Sequence, residues 1–293
     1  MNGCRRVARG GPGWPVPLEH LATPPAELWV RGTLWPPPAA AVAVVGARAA
    51  TLTGLEVARE LGRELATAGV LVISGLARGI DAAAHRGALE AGGPTLAVLG
   101  CGVDLCYPPG HERLLEAVCG AGAVISEDPP GTGPVAWRFP RRNRLIAALA
   151  LGVVVVEAGE RSGALSTARH AADLGREVLA VPGSVRSAQS RGTNRLIRVG
   201  ATPLLELEDL AGALPELPLA SPRRLATGPA APPDDPVLRA LLELVGSDPV
   251  HPDQLAEATR AGAAEIAVRL CALELGGWVR SLPGGGVSRV GGR

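Results

Sequence analysis

The chain contains no lysine: all 29 of its Lys and Arg positions are arginine. A P-loop needs Gly-Lys-Ser/Thr, so that mode of ATP binding is excluded. Aromatic residues make up only 2%, and Phe139 and Tyr107 are the single Phe and the single Tyr. Five cysteines, Cys4, Cys101, Cys106, Cys119 and Cys271, are odd in number and form no Cys-x-x-Cys pair. That pattern excludes a disulfide framework and fits a reduced, cytoplasmic protein. Cys106, His111 and Cys119 are spread as packing residues are, so no metal is expected. No stretch resembles a signal peptide. The longest apolar run, 146–156, is too short to span a bilayer and is split by Gly152, so no membrane contact is expected. A net charge of +1 bears on nucleic acid only through local clustering of arginines.

What is present is a regular alternation. Short apolar, β-branched runs at 42–45, 70–73, 95–99, 123–125, 153–156 and 177–181 read as strands. Between and after them, helical patterns occupy about 54–68, 80–91, 112–119, 143–151, 164–174 and 193–199. Alternation of this kind predicts right-handed βαβ units and a parallel sheet covered on both faces: an α/β, Rossmann-like doubly wound domain over 41–210. Residues 1–40, rich in Gly, Pro and Arg with Trp14, Trp29 and Trp35 as anchors, read as an irregular lead-in. Residues 211–233 shift to Pro, Ala, Ser and Gly and read as a linker. The remainder, 234–293, has helices at 236–245, 252–259 and 263–274. Strands at 278–281 and 287–290 follow, around a Gly284-Gly285-Gly286 turn, which is the order of a winged helix. It holds six arginines against eight acids, so protein contact or regulation stands level with DNA reading for this module.

The stretch 70–85 joins a buried strand to an alanine-rich helix through Ser74, Gly75 and Gly79. Such joints leave backbone amides aimed at one spot, which suits phosphate. Gly46-Ala47-Arg48 and Gly159 to Thr167, with Ser162 and Gly163, are similar joints at other strand ends. Three together predict a phosphate-binding crevice. None carries the Gly-x-Gly-x-x-Gly fingerprint, so NAD is disfavoured and no cofactor is expected. The run Trp137-Arg138-Phe139-Pro140-Arg141-Arg142-Asn143-Arg144 has four arginines in eight residues and no acid. Arginine forks for phosphates beside an aromatic face for a base are the pairing of a single-strand groove. Arg186, Arg191, Arg195 and Arg198 form a second acid-free patch. For catalysis, Ser74 lies outside a Gly-x-Ser-x-Gly elbow. Asp81 and His85 read as a first-turn cap and a packed residue. Glu127 and Glu157, both at strand ends, keep open a nucleotide-cleaving enzyme.

Val45-Gly-Ala-Arg48, Ser74-Gly-Leu-Ala-Arg-Gly-Ile-Asp81, Tyr107-Pro108, Phe139-Pro-Arg-Arg-Asn-Arg-Leu-Ile146, Val156-Glu-Ala158, Ser162-Gly-Ala-Leu-Ser-Thr-Ala168 and Val181-Pro-Gly183 resemble, in this order, the motifs of the DNA-processing protein A (DprA, or Smf) family. The resemblance covers about residues 12–205 and extends to the terminal winged helix. It implies a non-catalytic, dimeric, single-stranded DNA-binding protein that protects incoming DNA and loads the RecA recombinase in natural transformation. The DNA-contacting set it implies is Arg48, Ser74, Gly75, Gly79, Phe139, Arg141, Arg142, Asn143, Arg144, Ser162 and Gly163. Ala47 stands where the family more often has a hydroxyl, which costs one phosphate contact. Many members carry a helical domain ahead of the sheet, and residues 1–40 are expected to hold only the lead-in. Two alternatives remain: an enzyme that cleaves nucleoside monophosphates with Glu127 or Glu157, and a nucleotide-sensing regulatory module.

Overall fold

The computed structural model describes residues 3–219, 232–282 and 285–290. The chain divides into two compact units, Met1–Pro222 and Arg223–Arg293. Among the described residues the first unit builds a nine-stranded sheet. Its strands are β1 (Cys4–Ala8), β2 (Glu27–Gly32), β3 (Ala41–Val45), β4 (Leu71–Ser74), β5 (Thr95–Val98), β6 (Ala123–Ser126), β7 (Gly152–Val155), β8 (Glu177–Ala180) and β9 (Thr202–Pro203). They lie in the order 1-2-6-5-4-3-7-8-9, and every pair from β6 to β9 is parallel.

Helices α1 (Leu52–Thr67), α2 (Ile80–Glu90), α3 (Glu112–Ala121), α4 (Arg138–Leu149), α5 (Ala164–Asp173) and α6 (Arg191–Arg198) make the crossovers, and α7 (Leu207–Ala213) follows β9. Consecutive side chains of a strand point to opposite faces. In β3, Ala41, Ala43 and Val45 therefore pack with Leu145 and Ala168 of α4 and α5, while Val42 and Val44 pack with Leu61 and Ala84 of α1 and α2. Both faces need apolar residues, which is why these strands are unbroken apolar runs. β3 pairs with β4 on one side and β7 on the other. The strand order thus reverses between β3 and β7, and a crevice opens beyond their carboxyl ends.

Three expectations are corrected. The lead-in is not irregular: β1 pairs antiparallel with β2, and β2 with β6. Leu28 and Val30 of β2 face the core while Glu27, Trp29 and Arg31 are only partly covered. The alternation is present but spans a single strand, and the partner that joins it to the main sheet lies 97 positions away, as in Trp29 opposite Ser126. The linker also starts later. Leu207, Leu210, Leu214 and Leu217 repeat at helical spacing and are buried beside α1, so 211–219 belongs to the first unit; 220–231 lies outside the described residues. Finally, α4 begins at Arg138 rather than Asn143, because proline is tolerated in a first helical turn and Pro140 does not delay it.

The second unit has α8 (Pro236–Leu244), α9 (Pro252–Thr259), α10 (Ala263–Leu275), β10 (Val279–Ser281) and β11 (Val287–Arg289), the strands pairing antiparallel. Gly284 of the expected turn lies outside the described residues. Asp235 caps α8 by accepting from the Val237 amide at 2.7 Å, and Leu242, Leu255, Ile266, Leu273 and Val279 form the core. In this architecture the third helix is the one that enters a major groove. Here α10 exposes Val268, Cys271 and Leu275, and its one arginine, Arg269, is ion-paired to Glu265. That face has little to offer a phosphate backbone.

Candidate nucleic-acid interface

The crevice beyond β3 and β7 is a cleft of about 780 Å³. Its walls are the loop after β3 (Gly46, Ala47, Arg48), Ala77 of the loop after β4 with Asp81 at the start of α2, the loop after β7 (Gly159, Arg161, Ser162, Gly163) and the start of α4 (Phe139, Pro140, Arg142, Asn143). A second lobe of about 370 Å³ shares Arg48, Phe139 and Arg142 with it and adds Gly75, Arg78 and Pro108. All three expected strand-end joints therefore meet, together with the arginine–phenylalanine run.

The joints do different work. The loop after β4 is closed on itself. Asp81, buried in the first turn of α2, accepts from the Gly75 amide at 3.1 Å and the Ala77 amide at 3.4 Å. The Ser74 hydroxyl is fully buried and donates to the Val44 carbonyl at 2.7 Å. Neither the amide of Gly75 nor the hydroxyl of Ser74 is aimed at the cleft, because an acid and a neighbouring strand have already satisfied them. Gly79 has φ +77°, and a Cβ there would lie 2.2 Å from the Ala47 carbonyl oxygen, so it is what lets this loop press against the loop after β3.

The arginines divide in the same way. Arg142 is buried, donates to the Gly75 carbonyl at 2.9 Å and makes a further bond to the Val98 carbonyl. Burial pulls its guanidinium down to about 10, against the opposing pull of Asp81, so it stays a cation at neutral pH. Arg144 is half-buried against Glu127 at 2.5 Å, and Arg141 faces Glu127 at 3.0 Å and Asp128 at 2.6 Å. Burial raises the Glu127 carboxyl above its ordinary value, with Arg144 and Arg141 pulling the other way. Asn143 is buried as well, donating to the Ser166 hydroxyl at 2.7 Å and the Gly163 carbonyl at 3.2 Å, and so ties α4 to the entry of α5. The expectation that Arg142 and Arg144 present forks to phosphate is corrected: one is a strut beneath the loop after β4, the other a partner for Glu127.

The charged side chains in the exposed class that line the two lobes are Arg48, Arg78 and Arg161. The guanidinium of Arg48 lies 5.3 Å from the centre of the Phe139 ring. Phe139 in turn meets Tyr107 at 5.2 Å with the rings tilted by 31°. The only Phe and the only Tyr thus form one aromatic floor under an arginine. Gly163 is exposed and Ser162 half-buried on the opposite wall. The second arginine patch stays outside: Arg186, Arg191, Arg195 and Arg198 are exposed and none of them lines the cleft. Tyr107, Arg78 and Arg161 were missed as site residues. The sequence signal for Tyr107 is its uniqueness; Arg78 and Arg161 sit in the same glycine-bearing joints as Gly75 and Gly163.

Neither candidate catalytic carboxylate lines the cleft. Glu157 is buried and accepts from the Thr51 amide at 2.9 Å and the Thr51 hydroxyl at 2.5 Å. Its negative charge therefore fills the anion position at the amino end of α1.

The geometry defines a doubly wound α/β module with a cationic, aromatic-floored cleft at its switch point. Residues 5–215 match the family model for DNA recombination-mediator protein A, and 226–285 match the DprA winged helix domain. The chain is 41% identical over 276 residues to Protein Smf of Escherichia coli strain K12, covering 92% of this chain and 74% of that one. Its structure is similar to that of DNA processing protein A from Streptococcus pneumoniae, with 35% identity, TM-score 0.66 and coverage of 72% and 74%. It is also similar to DNA processing protein A from Helicobacter pylori, with 27% identity, TM-score 0.64 and coverage of 73% and 96%; that protein is described as having a unique single-stranded DNA binding mode. The chain belongs to the DprA family.

Proposed function

We propose that this chain is a cytoplasmic single-stranded DNA-binding recombination mediator without catalytic activity. It protects incoming DNA in natural transformation and, as a homodimer, passes it to the RecA recombinase. The observation that carries the reading is Arg48 held over the Phe139–Tyr107 floor at the mouth of the cleft. A guanidinium beside an aromatic floor can bind a phosphate and the base next to it together, without regard to sequence. Arg78 and Arg161 extend the cationic line on either side. The description of the Helicobacter relative supports the same ligand. Among the described residues no helix is long and apolar enough to cross a membrane.

The rival reading, cleavage of a nucleoside monophosphate, needs a carboxylate in the cleft. Glu127 and Glu157 are engaged elsewhere, and the acid on the wall, Asp81, is spent on backbone amides.

The test is a titration of a labelled oligothymidylate followed by anisotropy. Arg48→Ala is expected to weaken binding about tenfold or more, since it removes a phosphate contact and a stacking partner. Three arginine–phosphate contacts on a single strand give a log–log salt slope of about −2. Equal affinity of wild type and variant would sink the assignment of this cleft, and a flat salt response would sink phosphate recognition altogether.

A further inference from the structure

Just outside the cleft, the turn into α4 presents an indole to solvent. Trp137 is 55% exposed, and of the five tryptophans it alone is in the exposed class. Val135 beside it is also exposed. The Arg138 and Arg141 guanidinium carbons lie 5.1 and 4.8 Å from its ring centre. Both arginines are anchored beneath: Arg138 donates to the Gly133 carbonyl at 2.6 Å, and Arg141 donates to Asp128 at 2.6 Å. Cation–π contact of this kind fixes the ring without covering it. A large apolar ring left in water on a fixed support contributes little to packing, and it is the combination found on surfaces that stack bases.

Position identifies the ligand. Phe139 lies on the cleft floor, and Trp137 stands two positions earlier on the outer side of the same first turn. Their Cα atoms are therefore within about 7 Å of each other. We infer that Trp137, framed by Arg138 and Arg141, is a second stacking platform that takes a base of the same strand where it leaves the cleft. The inference rests on the single-stranded DNA reading above. It assigns the footprint a direction, out of the cleft and across the amino end of α4, and it gives Arg141 a role through the indole rather than through phosphate.

The full chain is titrated with oligothymidylates of about 4 and about 16 nucleotides, the range of footprints known for single-strand grooves. Intrinsic tryptophan fluorescence and anisotropy are followed together. Trp137→Ala is expected to weaken the longer oligonucleotide roughly tenfold, to leave the shorter one unchanged and to remove most of the quench. Trp137→Phe keeps a stacking face, so it is expected to retain most of the affinity while losing the quench. A thermal melt of each variant establishes that it is folded. The inference is overturned if Trp137→Ala binds the longer strand as wild type does, if the quench survives the substitution, or if Trp137→Phe is as weak as Trp137→Ala. If wild type binds neither strand, the single-stranded DNA reading fails and this inference with it; if wild type binds both and Arg48→Ala neither, only the Trp137 variants decide.

Discussion

Arg142 reaches the carbonyl of Gly75 across 67 positions of sequence, at 2.9 Å, and leaves no room for a larger residue there. A Cβ on Gly75 would lie 2.4 Å from one guanidinium nitrogen of Arg142 and 2.7 Å from its central carbon. The fork is held by two carbonyls and cannot retreat without breaking them. Gly75→Ala is therefore expected to cost about 1–3 kcal/mol through overpacking. That is a lower melting temperature by roughly 2–4 °C per kcal/mol for a unit of this size. Because the displaced group forms part of both lobes, oligonucleotide affinity should fall as well. A variant that melts with wild type would show that the strut is soft.

His85 gives the fold a defined response to acid. Its ring is fully buried, with Nδ1 2.6 Å from the Thr95 hydroxyl, which itself donates to the Val72 carbonyl at 2.8 Å. The threonine proton is spent, so Nδ1 donates and the ring is neutral. Burial first, then the neighbouring charge of Arg142, lower its pKa from 6.5 to about 3. In the unfolded chain His85 takes a proton below pH 6.5 while the folded chain refuses it, so stability is full above that pH and drains as pH falls toward 3. Between pH 7 and pH 5 this one group should cost about 2 kcal/mol. Urea unfolding at the two pH values measures it, and His85→Leu should lose most of the difference; an unchanged pH dependence in that variant would contradict the assignment.

Glu157 separates a structural carboxylate from a chemical one. Glu157→Gln weakens the bonds to the Thr51 amide and hydroxyl and removes the charge facing the start of α1. A loss of about 1–3 kcal/mol is expected in denaturant unfolding. Oligonucleotide affinity should not change, and chromatography should find no free base released from a nucleoside monophosphate by either protein. Base release by wild type that disappears in the variant would revive the enzyme reading.

The central strands and the meeting of the three joints were legible because each depends on a local pattern: an apolar run, then glycine, then helix formers. The use of each joint was not. Asp81 lies only six positions from Gly75, yet a cap on one's own loop and a cradle for a ligand share the same spelling. The run 137–144 looked like four exposed cations because arginine is rarely buried without a partner. Its partners, Glu127 and Asp128, sit beyond the end of β6, and the carbonyls that receive Arg142 belong to the loop after β4 and to the last residue of β5. Pairing of this kind is a property of the assembled sheet. The same holds for β2, whose alternating residues acquire meaning only next to β6.

Both margins of the large sheet are guarded. At one end β1 carries Arg5 and Arg6, the latter held by Glu27 at 2.8 Å; at the other, β9 is two residues long and ends in Pro203, which has no amide hydrogen to give. Charge and proline at a sheet's rim discourage a neighbouring chain from adding a strand. Addition of a strand from a neighbouring copy at either margin is therefore disfavoured, even where copies are concentrated together.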